Sequence, residues 1–361
     1  MMRSPRSVDI SITCKCNLQC NYCYFYGNPP ARHRDLPTEE WLRFFEELGS
    51  LAVMDLCLAG GEPFFRADLK ELVNGIAKNR MRFTILSNGG LVTDDIAAFL
   101  AASGRCNGVQ ISLDSSIRGE HDACRGEGSW DGAVRGIRIL KKNGVNVTVR
   151  MTIHRHNYRN IKKTAEFILD DLGLPDFGTN AAGYAGRCRL HTDDVLLTVS
   201  ERQHAMENIL ELAEQSNDRI KAAAGPLAEG RAWREMEAAR LDGAPAFPNG
   251  GRLTSCGSAG YKLAVDADGT IMPCSQLVHI KMGRINRDSF SEIWLNHPEM
   301  IALRKRDQIH LDSFDFCRDC DYIPYCTGNC PSGAYQLVGT ILHPNPGACL
   351  RRYLQKGGRI V

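Results

Sequence analysis

Cysteine is the residue type most able to carry chemistry in this chain, and its spacing is uneven. Cys16, Cys20 and Cys23 fall close together in CNLQCNYC. A longer set stands near the other end: Cys256, Cys274, Cys317, Cys320, Cys326, Cys330 and Cys349. Fifteen cysteines would indicate disulfides in a small secreted protein. This chain has 361 residues, and its opening stretch MMRSPRSVDISIT has two arginines with no apolar run behind them. That is not the form of a signal peptide, so metal or cluster ligation is the expected use of the thiols. A [4Fe–4S] cluster usually takes four thiolates. Three thiolates leave one iron open to a ligand that is not protein. The plainer alternatives are half of a zinc site, which normally closes with four ligands, or three buried thiols. Cys14 falls outside the spacing and reads as a buried thiol at a strand end.

These residues need a frame. Alternating apolar runs recur at 8–13, 53–59, 82–87, 108–113, 145–153 and 176–183. Their period of two and β-branched content predict strands. Helical patterns separate them. PTEEWLRFFEELGSL has Thr38 as its expected N-cap and puts Trp41, Phe44, Phe45 and Leu48 on one face. DLKELVNGIAKN, TDDIAAFLAASG and SWDGAVRGIRILKKNG follow the same pattern, the last two closing on Gly104 and Gly144. Alternating strands and helices imply a parallel sheet with right-handed crossovers. The spacing fits an α/β fold, a partial (β/α)6 TIM-like barrel.

Active sites in such barrels form at the C-terminal ends of strands. The cysteine triplet follows the first strand. Gly60-Gly61-Glu62-Pro63 follows the second and Ser87-Asn88-Gly89 the third. Ser112 and Asp114 end the fourth, with Arg125 in the segment behind them. Each has a plainer reading. GGEP is also an ordinary turn, Asp114 a helix N-cap, Arg125 a surface ion-pair partner and Tyr22 a core residue. Beyond about residue 190 come two helical stretches, SERQHAMENILELAEQ and PLAEGRAWREMEAARL, and then a polar loop. Cysteines and turn residues dominate from Thr254 onward. The expected organisation is a barrel over 1–190, a helical linker over 191–253 and a ligand-stapled domain over 254–361. Cys57, Cys106, Cys124 and Cys188 match no motif and read mostly as packing residues. The net charge of +2 predicts no attraction to nucleic acid or membrane. No apolar stretch is long enough to span a bilayer.

The triplet Cys-x3-Cys-x2-Cys with Tyr22 before its last cysteine, together with GGEP and the strand-end residues, resembles the radical S-adenosylmethionine (SAM) superfamily. The seven later cysteines, with Gly269 between the first two, resemble the SPASM domain attached to many of its members. The resemblance implies that SAM fills the open iron through its amino and carboxylate groups. It implies that the reduced cluster splits SAM into methionine and a 5′-deoxyadenosyl radical, which abstracts hydrogen from a substrate. Tyr22 would then pack on adenine. Gly60 and Gly61 would let the backbone come close to SAM, the Glu62 side would receive its methionine ammonium, Ser87 and Asn88 would lie at the ribose, and Ser112 and Arg125 would contact the carboxylate.

The same resemblance implies three [4Fe–4S] clusters. One binds SAM on Cys16, Cys20 and Cys23. One auxiliary cluster sits on Cys256, Cys274 and Cys330, and the other on Cys317, Cys320, Cys326 and Cys349. The first auxiliary group is one thiolate short, so a distant group such as Cys188 completes it or one iron stays open. A zinc ribbon from the pairs Cys317/Cys320 and Cys326/Cys330 is the alternative. The expected substrate is a ribosomally made precursor peptide, through a cross-link, epimerisation or backbone excision. The alternatives are anaerobic sulfatase maturation, dehydrogenation or epimerisation of a small metabolite, and a non-enzymatic electron-transfer or structural iron–sulfur protein. Ser275 stands where sulfatase-maturing enzymes have an aspartate, and SCGSAGYKLAV lacks their eighth cysteine. No leader-binding domain fits before the first strand, so a separate small leader-binding protein is expected. An electron donor such as flavodoxin or ferredoxin and a cytoplasmic location are expected with it.

Overall fold

The computed structural model describes residues 2–26 and 34–361. The strands are β1 (Ser7–Thr13), β2 (Asp55–Gly60), β3 (Arg82–Ser87), β4 (Cys106–Ser112), β5 (Val147–Ile153) and β6 (Phe177–Ala181). They continue with β7 (Ile220–Ala222), β8 (Lys262–Val265), β9 (Thr270–Met272) and β10 (Gly283–Arg284). One sheet holds them all in the order β10-β9-β8-β1-β2-β3-β4-β5-β6-β7. β1 to β6 pair in parallel with their sequence neighbours. This is the partial barrel expected from the periodicity, and its two ends do not pair with each other.

Two parallel strands escaped the sequence pattern. β7 adds to β6, and β8 pairs with the free side of β1. Each is only three or four residues long, too short for alternation to stand out. β8 has a consequence for the whole molecule. The cysteine-rich C-terminal region supplies the strand that makes β1 interior to the sheet.

One face of the sheet packs on helices. Val8, Ile10 and Ile12 of β1 are fully buried, as are Trp41, Phe44, Phe45 and Leu48 of helix α1 (Thr38–Ser50). Their spacing gives α1 a single apolar stripe. The stripe reaches beyond the barrel, because Phe44 meets Phe290 edge-on at 5.3 Å. Asn286 also donates to the Glu40 carbonyl at 2.8 Å. Thr38 is not the cap of α1. It is the first helical residue, Pro37 precedes it without a side-chain cap, and the Thr38 hydroxyl is drawn to Asp68. Gly104 and Gly144 both take positive φ, at 62° and 75°, just past the helices they follow, as a left-handed helix exit requires.

The opposite face, which lines the barrel, is polar and only partly covered. It carries Asp9, Cys57, Thr84, Gln110, Ser112 and Arg150 at alternating positions of their strands. No described helix is long and apolar enough to cross a membrane.

The position of β8 leads to a prediction. A chain ending at residue 253 exposes the backbone edge of β1 and uncovers Phe44 of α1, which Phe290 meets in the full chain. It should aggregate or elute in the void volume on size exclusion. A monomeric fragment with a cooperative melt would show that the barrel stands without β8.

Candidate functional site

The three clustered cysteines lie on the loop leaving β1, and their placement begins with backbone. Past the end of β2, Gly61 N–H donates to Thr13 O at 2.8 Å and Glu62 N–H donates to Lys15 O at 2.8 Å. Side chains cannot occupy this contact. A Cβ on Gly60 would lie 2.3 Å from Thr13 O, and one on Gly61 would lie 2.0 Å from Lys15 O. Gly60 also has φ of +119°, which favours glycine. The glycines of GGEP therefore serve close approach to the cysteine loop itself. Asp35, which the sequence did not single out, grips the same stretch. It accepts from Thr13 Oγ1 at 2.6 Å and from Cys14 N–H at 2.7 Å. Gly186 closes the other side, where a Cβ would stand 2.3 Å from Cys23 O, and Arg187 N–H donates to that carbonyl at 2.9 Å.

Glu62 joins the second and third strand ends. Its carboxylate accepts from Ser87 Oγ at 2.8 Å, Asn88 N–H at 2.8 Å and Phe64 N–H at 3.2 Å. Burial still pushes it up, to about 6, against these bonds. The Asn88 amide returns to the cysteine loop, donating to Asn17 Oδ1 at 2.8 Å and lying 3.9 Å from Cys16 Sγ.

Asp114 is a hub and not a helix cap. The following helix, α4 (Arg118–Arg125), has Ile117 at its N-cap. Arg125 is no surface residue either. It is buried and donates Nε to Asp114 Oδ2 at 2.6 Å and Nη2 to Oδ1 at 3.2 Å. Asp114 also accepts from Thr152 N–H at 2.9 Å and from the Tyr22 hydroxyl. Burial alone would raise the Asp114 carboxyl, but Arg125 beside it holds it well below the usual carboxylate range. The Tyr22 ring lies between Arg125, at 5.2 Å, and His154, at 5.5 Å. Burial drives His154 down to about 4, so it is neutral near pH 7. Ser112 stands on β4 beside Arg150 of β5 in the strand register.

The C-terminal cysteines fall into two groups. Cys256 and Cys330 are the thiols that act electrostatically on Cys274, and both face the buried Arg306. Arg306 is anchored by Ile341 O at 2.7 Å and by Thr254 O. Cys317, Cys320, Cys326 and Cys349 line a single small cavity of about 30 Å³. Arg351 borders it, tied to Arg318 O at 2.6 Å, with a buried Nε that has no partner among the described residues. Neither arginine had a sequence signal. Cys188 does not join the first group. It packs with Cys124 and Val195 against Tyr22.

The residues fit a cluster better than a single ion. Among the described residues, no three His, Cys, Asp or Glu side chains converge to hold one metal ion. A zinc site needs sulfurs about 3.8 Å apart, given Zn–S bonds of about 2.3 Å. A cubane spreads its thiolates over separate irons and needs no such convergence. Burial pushes Cys20 up to about 11 and Cys317 up to about 12. These thiols stay protonated until a cation replaces the proton.

A partial barrel whose strand-end loops converge on three cysteines, joined to a cysteine-rich region with two thiol groups, defines a class of iron–sulfur enzyme. Residues 10–168 match the family model of the radical SAM superfamily, and residues 256–321 match that of SPASM, an iron–sulfur cluster-binding domain. The chain is a radical SAM enzyme with a SPASM domain and belongs to that superfamily. Among curated relatives, Fe-coproporphyrin III synthase of Methanosarcina barkeri is 27% identical over 95% of this chain and 87% of its own. PqqA peptide cyclase of Ruegeria pomeroyi is 28% identical over 93% of this chain and 85% of its own. Among solved structures, Streptococcus suis SuiB bound to its precursor peptide SuiA aligns with a TM-score of 0.72. It shares 16% identity, over 96% of this chain and 76% of that one.

The glycine contact gives a test of the site. Gly61→Ala forces a Cβ into Lys15 O and must displace the cysteine loop. After anaerobic reconstitution, bound iron should fall by about four per chain, with the far-ultraviolet circular dichroism unchanged. Full iron content would show that the loop holds its shape without this contact.

Proposed function

We propose that this enzyme directs a SAM-derived radical at a ribosomally made precursor peptide, forming a cross-link, an epimer or a backbone excision. The observation that carries the peptide is the relationship to PqqA peptide cyclase over 93% of this chain. SuiB, of the same fold, was solved with a precursor peptide, which agrees with it. A tetrapyrrole is the second reading, favoured by the match to Fe-coproporphyrin III synthase over 95% of the chain.

In this reading Cys16, Cys20 and Cys23 hold the SAM-binding [4Fe–4S] cluster. Cys256, Cys274 and Cys330 hold one auxiliary cluster, and Cys317, Cys320, Cys326 and Cys349 hold the other, three in all. The cavity bordered by those last four thiols supports its part of the assignment. When bound, the cluster and SAM supply a radical able to take hydrogen from an unactivated carbon. The protein's own task is to bind, orient and exclude water. Glu62, buried at the rim, offers its carboxylate to the SAM ammonium. Ser87 and Asn88 border the ribose, and Ser112 faces the SAM carboxylate. Tyr22 and Arg125 are occupied by Asp114, and their role is to hold the cysteine loop. A small leader-binding protein and a flavodoxin or ferredoxin complete the reaction in a reducing cytoplasm.

Reduced, anaerobically reconstituted enzyme should convert SAM to 5′-deoxyadenosine. Cys16, Cys20 and Cys23 all changed to alanine should abolish that conversion and leave the auxiliary clusters' iron in place. Undiminished conversion would remove the first cluster from the mechanism. A precursor peptide encoded beside the gene should raise 5′-deoxyadenosine formation and change mass. If Fe-coproporphyrin III does so instead, the tetrapyrrole reading replaces the peptide.

Glu62 adds a pH dependence. Its pKa of about 6 means the carboxylate is charged above pH 6 and neutral below it, and only the charged form attracts an ammonium. SAM affinity should therefore weaken about tenfold between pH 7 and pH 5. Glu62→Gln should weaken it at pH 7 and flatten the profile. A wild-type affinity that does not change with pH would place the ammonium elsewhere.

A further inference from the structure

Arg306 is a fully buried cation to which the chemistry proposed above gives no task. It lies in the short helical turn Lys305–Gln308. Its Nε donates to Ile341 O at 2.7 Å, its Nη1 to Thr254 O and its Nη2 to His343 O at 3.4 Å. All three acceptors are neutral carbonyls, and among the described residues no carboxylate pairs with it. Burial lowers its pKa, and the groups that act in the other direction are the thiols Cys256 and Cys330. A guanidinium taken out of water without a counter-charge is unfavourable. Such a group persists where negative charge is bound within its reach.

The backbone at Cys256 points the same way. Its φ is 70°, a conformation that residues other than glycine adopt only at a cost. Neighbouring groups hold it there. Arg306 anchors Thr254 O two residues upstream, and the Cys256 N–H donates to Thr254 Oγ1 at 3.3 Å. Ser258 Oγ donates to Cys256 Sγ at 3.4 Å. The sulfur is thus fixed as an acceptor within the field of a buried positive charge. Arg304, two residues earlier, is the contrast. It too donates only to carbonyls, those of Ala259, Leu295 and Trp294. Its guanidinium, however, lies over the Trp294 ring at 4.6 Å, and no described cysteine acts on it. The indole face satisfies Arg304, whereas Arg306 is left with thiols.

We propose that Arg306 is the counter-ion of the iron–sulfur cluster on Cys256, Cys274 and Cys330, and that its charge raises the reduction potential of that cluster. A [4Fe–4S]2+ core with three thiolates carries a net charge of about −1, and one-electron reduction takes it to about −2. A fixed cation in a site shielded from water favours the more negative form. Arg306 thereby sets how readily this cluster takes up an electron. The inference rests on the reading of these three cysteines as one auxiliary ligand set.

The test is a redox titration of the anaerobically reconstituted full chain, followed by electron paramagnetic resonance. The signal that Cys274→Ala removes identifies the cluster. Arg306→Gln should lower the midpoint of that signal by about 59 mV or more, a tenfold shift in a one-electron equilibrium. Iron content and the other signals should not change. Arg306→Lys should recover most of the shift. Both substitutions break the clamp on the three carbonyls and only lysine keeps the charge, so a purely structural role would move the two together. Arg304→Gln loses a similar set of carbonyl bonds and should leave the midpoint in place. If Arg306→Gln loads no iron at this site, Arg306→Lys decides. Iron and midpoint restored by lysine support the proposal, and iron still missing overturns it. A shift of less than about twofold in Arg306→Gln, equal shifts in Arg306→Gln and Arg306→Lys, or the same shift in Arg304→Gln also overturns it. A Cys274→Ala chain that keeps every signal withdraws the ligand assignment and the proposal with it. A signal that depends on Cys274 and ignores Arg306→Gln leaves the assignment standing and ends the proposal alone.

Discussion

Parallel pairing between β1 and β2 does not end where the strands do, and the site depends on its continuation. The bonds from Gly61 to Thr13 and from Glu62 to Lys15 carry the pairing into the two loops. From there the contacts form a ring. The cysteine loop meets GGE, Glu62 takes Ser87 and Asn88, and Asn88 comes back to Asn17 and Cys16. Three strand ends thus fix one another. A site assembled from loops gains the precision of a sheet because backbone bonds extend the sheet into it.

Charge is the second organising constraint. Buried thiols resist ionisation, and each thiol group has an arginine near it: Arg125 for Cys20, Arg306 for Cys256 and Cys330, and Arg351 for Cys317 and Cys320. Positive charge beside a thiol favours the thiolate that ligates metal, and local charge helps set a cluster's potential. The three arginines are held differently. Arg125 is neutralised by Asp114, whereas Arg306 and Arg351 are tied to backbone carbonyls and keep their net charge for the sulfurs.

What the sequence revealed follows from which physical rules are local. Strand period is local, so β1 to β6 and the loops behind them were legible. Cysteine spacing is local too, whereas the groupings of the later cysteines came from the resemblance to the SPASM domain and not from spacing. β7 and β8 were not legible, because a strand of three or four residues is defined by its distant partner. Asp114 and Arg125 could be placed near the mouth, but their bidentate pairing lies in the tertiary structure. Thr38 looked like a cap because its type suits one, yet Asp68 competes for its hydroxyl. Arg306 and Arg351 carry no pattern at all.

The C-terminal region is part of the barrel's working interior. β8 lies against β1, and Lys262 on it reaches Asp9 on β1 at 3.1 Å. The barrel interior therefore has walls that come from both ends of the chain. Pairing β8 with β1 keeps those walls in register.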